Sequence, residues 1–149
     1  MKTLVVYFSA EGTTKKVAEE FAKDNNFETF EIIPENPYSK ADIKWTNPLA
    51  RCNKEKFMKK NVPVKSKIND FAGYNRIFLG FPIWYYGAPN VVNTFCNEYD
   101  WSGKSVVVFA TSGGSPIGKT AEKLQPYLKN VKSLDAVLVK TADEIKKYL

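Results

Sequence analysis

The chain has 149 residues, with 44% hydrophobic and 26% charged side chains, 22 Lys+Arg against 16 Asp+Glu, two cysteines and no histidine. That size and mixture predict one ordinary globular domain over residues 1–149 rather than a disordered or fibrous chain. The missing histidine excludes Ser-His-Asp and Cys-His nucleophile pairs and histidine-ligated zinc or haem. Any chemistry must then come from a cofactor, a carboxylate, a hydroxyl, a thiol or an amine.

Leu4–Phe8 is a five-residue apolar run, too short for a signal sequence and typical of a strand buried on both faces. A helix is predicted from Thr14, because Thr14, Val17, Ala18, Phe21 and Ala22 share one face. Phe27–Ile33 predicts a second strand, ended by Pro34. Residues 34–75 are irregular, with Pro37, Pro48 and Pro63 as breakers and a helix expected near Asn53–Lys60. Arg76–Phe81 predicts a third strand, Pro89–Tyr99 a helix, Lys104–Ala110 a fourth strand, and Gly118–Leu128 a helix. Leu134–Val139 predicts a fifth strand and Asp143–Leu149 a closing helix. Strands alternating with helices imply βαβ units, hence a parallel sheet with helices on both faces.

The charge is concentrated. Residues 40–67 hold nine basic and two acidic residues, a net +7, while the rest of the chain holds 13 basic and 14 acidic, a net −1. A run of this kind is usually a solvated face, so neither nucleic acid nor membrane is expected as a partner. Cys52 and Cys96 form no CxxC or metal-ligand spacing, so no metal site is expected and both are read as reduced thiols of a cytoplasmic protein.

In a doubly wound sheet, ligands bind outside the carboxyl ends of the strands. The first strand runs into Ser9-Ala10-Glu11-Gly12-Thr13-Thr14, three hydroxyls and a glycine at a helix start. Such a loop suits a phosphate, with Ser9, Thr13 and Thr14 as donors and Gly12 for close backbone approach. Plain helix capping by Ser or Thr is the alternative. Neither GxGxxG nor the GxxxxGK[ST] loop is present. The third strand runs into Pro82-Ile83-Trp84-Tyr85-Tyr86-Gly87, whose aromatic rings suit a planar ring system unless they plug the core. The fourth runs into Thr111-Ser112-Gly113-Gly114, either backbone amides for the polar edge of a heterocycle or a simple strand-to-helix turn. Three such loops at one end of a sheet predict a flavin mononucleotide (FMN).

These motifs carry a resemblance to the short-chain, FMN-binding bacterial flavodoxins. Ser9–Thr14 resembles that family's [ST]-x-[TE]-G-x-T phosphate loop. Gly80-Phe81-Pro82-Ile83-Trp84-Tyr85 resembles G-[YF]-P-I-W-[WY], and Thr111–Ser115 resembles T-S-G-G-S. The resemblance implies a five-stranded parallel α/β sheet of order 2-1-3-4-5 and noncovalent FMN. The phosphate would lie at Ser9–Thr14, Trp84 or a neighbouring Tyr would lie against the isoalloxazine, and Thr111–Gly114 would border its pyrimidine edge. It further implies an electron carrier acting between redox proteins, as a monomer or weak dimer. The alternative is an NAD(P)H-dependent quinone or flavin oxidoreductase of the same fold, in which Trp45 and Arg51 of the 34–75 segment line a substrate site. The chain departs from ordinary flavodoxins in being basic, and in carrying Glu20 where the first helix is often aliphatic. If the 40–67 segment borders the flavin, partners with acidic docking faces are expected.

Overall fold

The computed structural model describes residues 2–36, 38, 39, 42, 43, 46, 50–52, 55, 62–65, 67–84, 87–112, 114 and 116–149. Five strands, β1 (Thr3–Tyr7), β2 (Glu28–Glu31), β3 (Arg76–Pro82), β4 (Ser105–Thr111) and β5 (Ser133–Leu138), form one sheet of order β2-β1-β3-β4-β5. Every neighbouring pair is parallel. The expected topology is therefore the observed one.

The three central strands are continuous apolar runs because both their faces are covered. Side-chain alternation divides their residues between two cores. Leu4, Val6 and Phe8 of the β1 segment, Ile77, Leu79 and Phe81 of β3, and Val106, Val108 and Ala110 of β4 face one way. Helices α2 (Asn90–Asn97) and α3 (Thr120–Leu124) cover that face with Val91, Val92, Phe95, Cys96 and Leu124. Val5, Tyr7, Phe78, Val107 and Phe109 face the other way, under α1 (Thr13–Asn25) and the last helical segment, Ala142–Tyr148. The apolar stripe of α1, Val17, Ala18, Phe21 and Ala22, lies in this second core.

Two glycines set local geometry here. Gly12, at φ +96°, turns the chain from the β1 loop into α1. Gly80 lies beneath the Phe109 ring, and a Cβ there would stand 2.2 Å from two ring carbons. At its far end α1 closes on Asn26, left-handed at φ 56°, whose amide donates to Ala22 and Lys23 carbonyls.

The edges depart from expectation. β2 is shorter than Phe27–Ile33: the Phe27 amide is taken by the Ala22 carbonyl at the helix end, and past Glu31 only the Ile32 amide continues, to the Tyr7 carbonyl. The helix expected over 118–128 is a short α-turn followed by a 3-10 turn at Gln125–Tyr127, where Pro126 removes an amide donor. The closing helix is 3-10 throughout and begins at Ala142, with Thr141 and Glu144 capping it reciprocally. Arg51, Cys52 and Glu55 are helical, but most of the helix expected at 53–60 lies outside the described residues.

Candidate functional site

The three loops singled out in the sequence meet at the carboxyl end of the sheet, and each is joined to the other two. Phe8 packs edge-on against Trp84, with ring centroids 5.7 Å apart. The Ile83 amide donates to the Thr111 carbonyl at 2.9 Å. The Thr14 and Thr111 hydroxyls share a buried hydrogen bond of 2.7 Å.

The first loop leaves a helix N-terminus open. No side chain caps α1, so the Ser and Thr hydroxyls are not spent as helix caps. The Ser9 hydroxyl instead accepts from the Gly12 amide at 3.0 Å, which folds the loop on itself. The first amides of α1 have no acceptor within the helix, and its dipole places partial positive charge there. Nothing lies within 4 Å of where a Gly12 Cβ would stand, so the backbone faces open space. Uncapped donors beside a side-chain-free approach are what a phosphate requires, and the loop fits that group. Ser9 and Ala10 are half-buried, while Glu11, Gly12 and Thr13 are exposed. Thr14 differs: its hydroxyl faces Thr111 in the interior and ties the loop to β4 rather than pointing into the open space. Lys15 turns toward Glu19 and Glu31, 3.8 Å from each carboxylate.

The second loop is a tight reversal. The Trp84 amide donates to the Gly87 carbonyl at 2.9 Å, and the Gly87 amide returns to the Trp84 carbonyl at 3.2 Å. The Gly87 amide is thus committed to the turn. Pro82, Ile83 and Trp84 are half-buried and Gly87 is buried; Tyr85 and Tyr86 lie outside the described residues. Trp84 is not an interior plug, because it stays partly exposed at the rim.

In the third loop, Thr111 is buried at the end of β4, and the Ser112 hydroxyl accepts from the Gly114 amide at 3.1 Å. Gly114 is exposed, with open space where a Cβ would stand; Gly113 lies outside the described residues.

Sequence reasoning missed Tyr38. Its ring makes edge-on contacts with Phe8 at 5.8 Å and Trp84 at 5.2 Å, completing a trio of rings. With Phe8, Ser9, Ala10, Glu31, Ile32, Ile33 and Pro34 it also lines a cleft beside the first loop. No feature near it in the sequence pointed to it, because its partners Arg51 and Glu55, four apart on a helical turn, come from further along the segment. The Arg51 guanidinium lies over the Tyr38 ring, 4.1 Å from its centroid, and the Tyr38 hydroxyl donates to Glu55. Burial first, then that hydrogen bond, pushes the Tyr38 phenol well above its usual value, so it stays protonated. Arg51 also donates to Glu55 at 2.8 Å and to the Asn36 carbonyl at 2.5 Å. It is committed within its own segment rather than turned out to a substrate. Trp45 lies outside the described residues, as do Lys40, Lys44, Lys54, Lys56, Lys59 and Lys60 of the basic run.

A doubly wound parallel sheet whose β1, β3 and β4 loops converge on an uncapped helix start and an aromatic rim defines a nucleotide-binding α/β protein of the open-sheet class. Within that class the chain belongs to the flavodoxin family, whose model, described as Flavodoxin, matches residues 2–149. No curated protein matches the chain. Among solved structures, a candidate flavoprotein from Bacteroides eggerthii DSM 20697 is 36% identical, with 99% of this chain and 95% of that chain covered and a TM-score of 0.91. A candidate flavoprotein from Bacteroides uniformis ATCC 8492 is 35% identical, with 99% and 96% covered and a TM-score of 0.86. A flavoprotein from Lactobacillus acidophilus NCFM, solved in complex with FMN, shares the fold at 20% identity, with 99% and 97% covered and a TM-score of 0.74. Among the described residues no helix is long and apolar enough to cross a membrane.

Proposed function

We propose that the chain binds FMN noncovalently at the β1, β3 and β4 loops and carries electrons between redox proteins. The observation that supports this most is the open, uncapped start of α1 beside Gly12, joined to the Trp84 rim by buried contacts. Ser9 to Thr13 would hold the phosphate, with Thr14 fixing the loop through Thr111. Trp84 would lie against the ring system, and the Ser112–Gly114 turn would border its polar edge. Bound FMN supplies the electron chemistry; the protein holds the flavin, excludes water from one side and sets its potential. Apolar rings around a flavin disfavour extra negative charge and lower that potential.

Titration of the apo-protein with FMN, followed by flavin fluorescence, tests the site. Saturable one-to-one quenching is expected, and a protein that ignores FMN refutes the proposal. Stopped-flow mixing of the loaded protein with NADPH tests the carrier role. Slow reduction without an added reductase is expected, whereas rapid hydride transfer would make the chain an oxidoreductase. The partners we propose are redox proteins with acidic docking faces, because the +7 segment at 40–67 includes Arg51, which contacts Tyr38 at the rim. Association should slow roughly tenfold or more from low to high salt; salt-independent kinetics would refute that partner class.

A further inference from the structure

We infer that Tyr38 forms a wall of the flavin site and that Arg51 and Glu55 are the positioning residues that hold it there. This inference rests on the FMN reading above.

Two observations converge on Tyr38. Its ring touches the aromatic rim, meeting Trp84 at 87° and Phe8 at 65°. The same ring lines the cleft that includes Ser9 and Ala10, the entry to the proposed phosphate loop. One side chain therefore spans from the phosphate side of the site to its aromatic side. It comes from none of the three strand-end loops, but from the segment following β2.

That segment is built to hold the ring in place. Near its start, the Glu35 amide donates to the Pro63 carbonyl at 3.0 Å, and the Lys65 amide donates to the Ile33 carbonyl at 2.7 Å. These two bonds, with the antiparallel bridge between Pro34 and Val64, tie the two ends of the segment together beside the sheet. Between them, Arg51 lies over the Tyr38 ring while its Nε and Nη1 donors go to Glu55 and the Asn36 carbonyl. Asp42 adds a carboxylate 3.8 Å from Nη1. Glu55, itself buried, accepts hydrogen bonds from the Tyr38 hydroxyl and the Arg51 Nε together, one at each carboxylate oxygen. The Asn90 side-chain amide donates to the Glu55 carbonyl at 2.7 Å, anchoring this turn to the start of α2. The cation covers one side of the ring, the carboxylate fixes its hydroxyl, and Phe8 and Trp84 meet it edge-on. A side chain so constrained presents a fixed aromatic wall. It does not offer its proton to a ligand, because Glu55 already accepts it.

The experiment is FMN titration of the wild type and of Tyr38→Phe, Tyr38→Ala, Arg51→Met and Glu55→Gln. Each is measured at a temperature where unfolding of the apo-protein shows it to be folded. The visible circular dichroism of the bound flavin is recorded alongside, because it reports the ring's surroundings rather than overall stability. Tyr38→Phe keeps the ring and should stay within about threefold of wild-type affinity, whereas Tyr38→Ala should weaken FMN roughly tenfold or more and alter the dichroism. Arg51→Met and Glu55→Gln keep Tyr38 but release it, and should shift the dichroism with a several-fold loss of affinity. A folded Tyr38→Ala protein with wild-type affinity and an unaltered dichroism spectrum overturns the inference. A wild type that takes up no FMN overturns the reading beneath it, and the two failures are distinct.

Discussion

The Thr14–Thr111 bond is the most direct test of how the site is held together. The two hydroxyls are 2.7 Å apart, and the residues are 1% and 4% exposed, so neither hydroxyl reaches water. Thr14→Val keeps the shape and removes one partner, leaving the Thr111 hydroxyl buried without its mate. A lone buried hydroxyl costs about 1–3 kcal/mol, more than the bond's net worth of roughly 1 kcal/mol. Thr111→Val should cost about the same by the same reasoning. The double variant strands neither hydroxyl and buries two methyl groups face to face, so it should lie within about 1 kcal/mol of the wild type. The singles and the double are compared by urea unfolding, and because two costs of about 1–3 kcal/mol each shrink to about 1 kcal/mol or less, a coupling energy of about 1–5 kcal/mol is expected. Since Thr14 lies in the first turn of α1, whose amides face the proposed phosphate, the singles should also weaken FMN, and the double should regain most of that loss. Single-variant costs that simply add, within about 0.5 kcal/mol, would refute the pairing and with it the assignment of Thr14 to the interior.

Gly80→Ala places a methyl 2.2 Å from the Phe109 ring, which is itself fully buried. It should destabilise the protein by about 1–3 kcal/mol or more in urea unfolding, and an unchanged midpoint would contradict the close approach. Gly12→Ala meets no neighbour, so its cost is the left-handed backbone alone, about 1–2 kcal/mol. The new methyl would stand in the space assigned to the phosphate, so calorimetry should show a larger loss in FMN affinity than in stability. The Tyr74 phenol, hydrogen-bonded to Glu28 and buried, is pushed up to about 12 from 10.0. Because the folded state holds this proton more tightly, its contribution to stability is complete below pH 10 and is lost as pH rises from 10 to 12. Thermal unfolding of Tyr74→Phe should therefore fall less steeply than wild type over that range; parallel curves would refute the shift.

How much of this was legible in the sequence depends on the range over which each feature is determined. β1, β3 and β4 announced themselves because strands buried on both faces need no alternation, and their apolar runs end where the sheet ends. The edge strands were less clear: β5 alternates between exposed and half-buried residues, and β2 is four residues of mostly polar side chains. The loops of the site were visible because a hydroxyl-glycine turn before a helix and a Pro-bounded aromatic turn are local features. Thr14 carried two signals, a hydroxyl in the loop and a place on the apolar face of the helix. It belongs to the apolar stripe with Val17, Ala18, Phe21 and Ala22, and that periodicity already placed it facing inward. Tyr38 carried no local signal. Its partners lie from 13 residues away, at Arg51, to 46 away, at Trp84, and only the folded segment brings them together.

The same segment bears on which of the two flavodoxin-like activities the chain suits. An oxidoreductase that used it as a substrate site would turn the donors of Arg51, or a labile proton on Tyr38, toward the cleft. Here Arg51 donates to its own segment, and the Tyr38 proton is held against Glu55 by burial and a hydrogen bond. Cys96 offers no alternative, since burial pushes its thiol up and keeps it protonated within the core. The chain has no histidine to relay protons near neutral pH. Arg51 and Tyr38, held in this way, are well suited to fixing the shape and polarity around a ring. That combination fits the carrier role we propose, in which the protein tunes and presents the cofactor and its partners supply the substrate-specific chemistry.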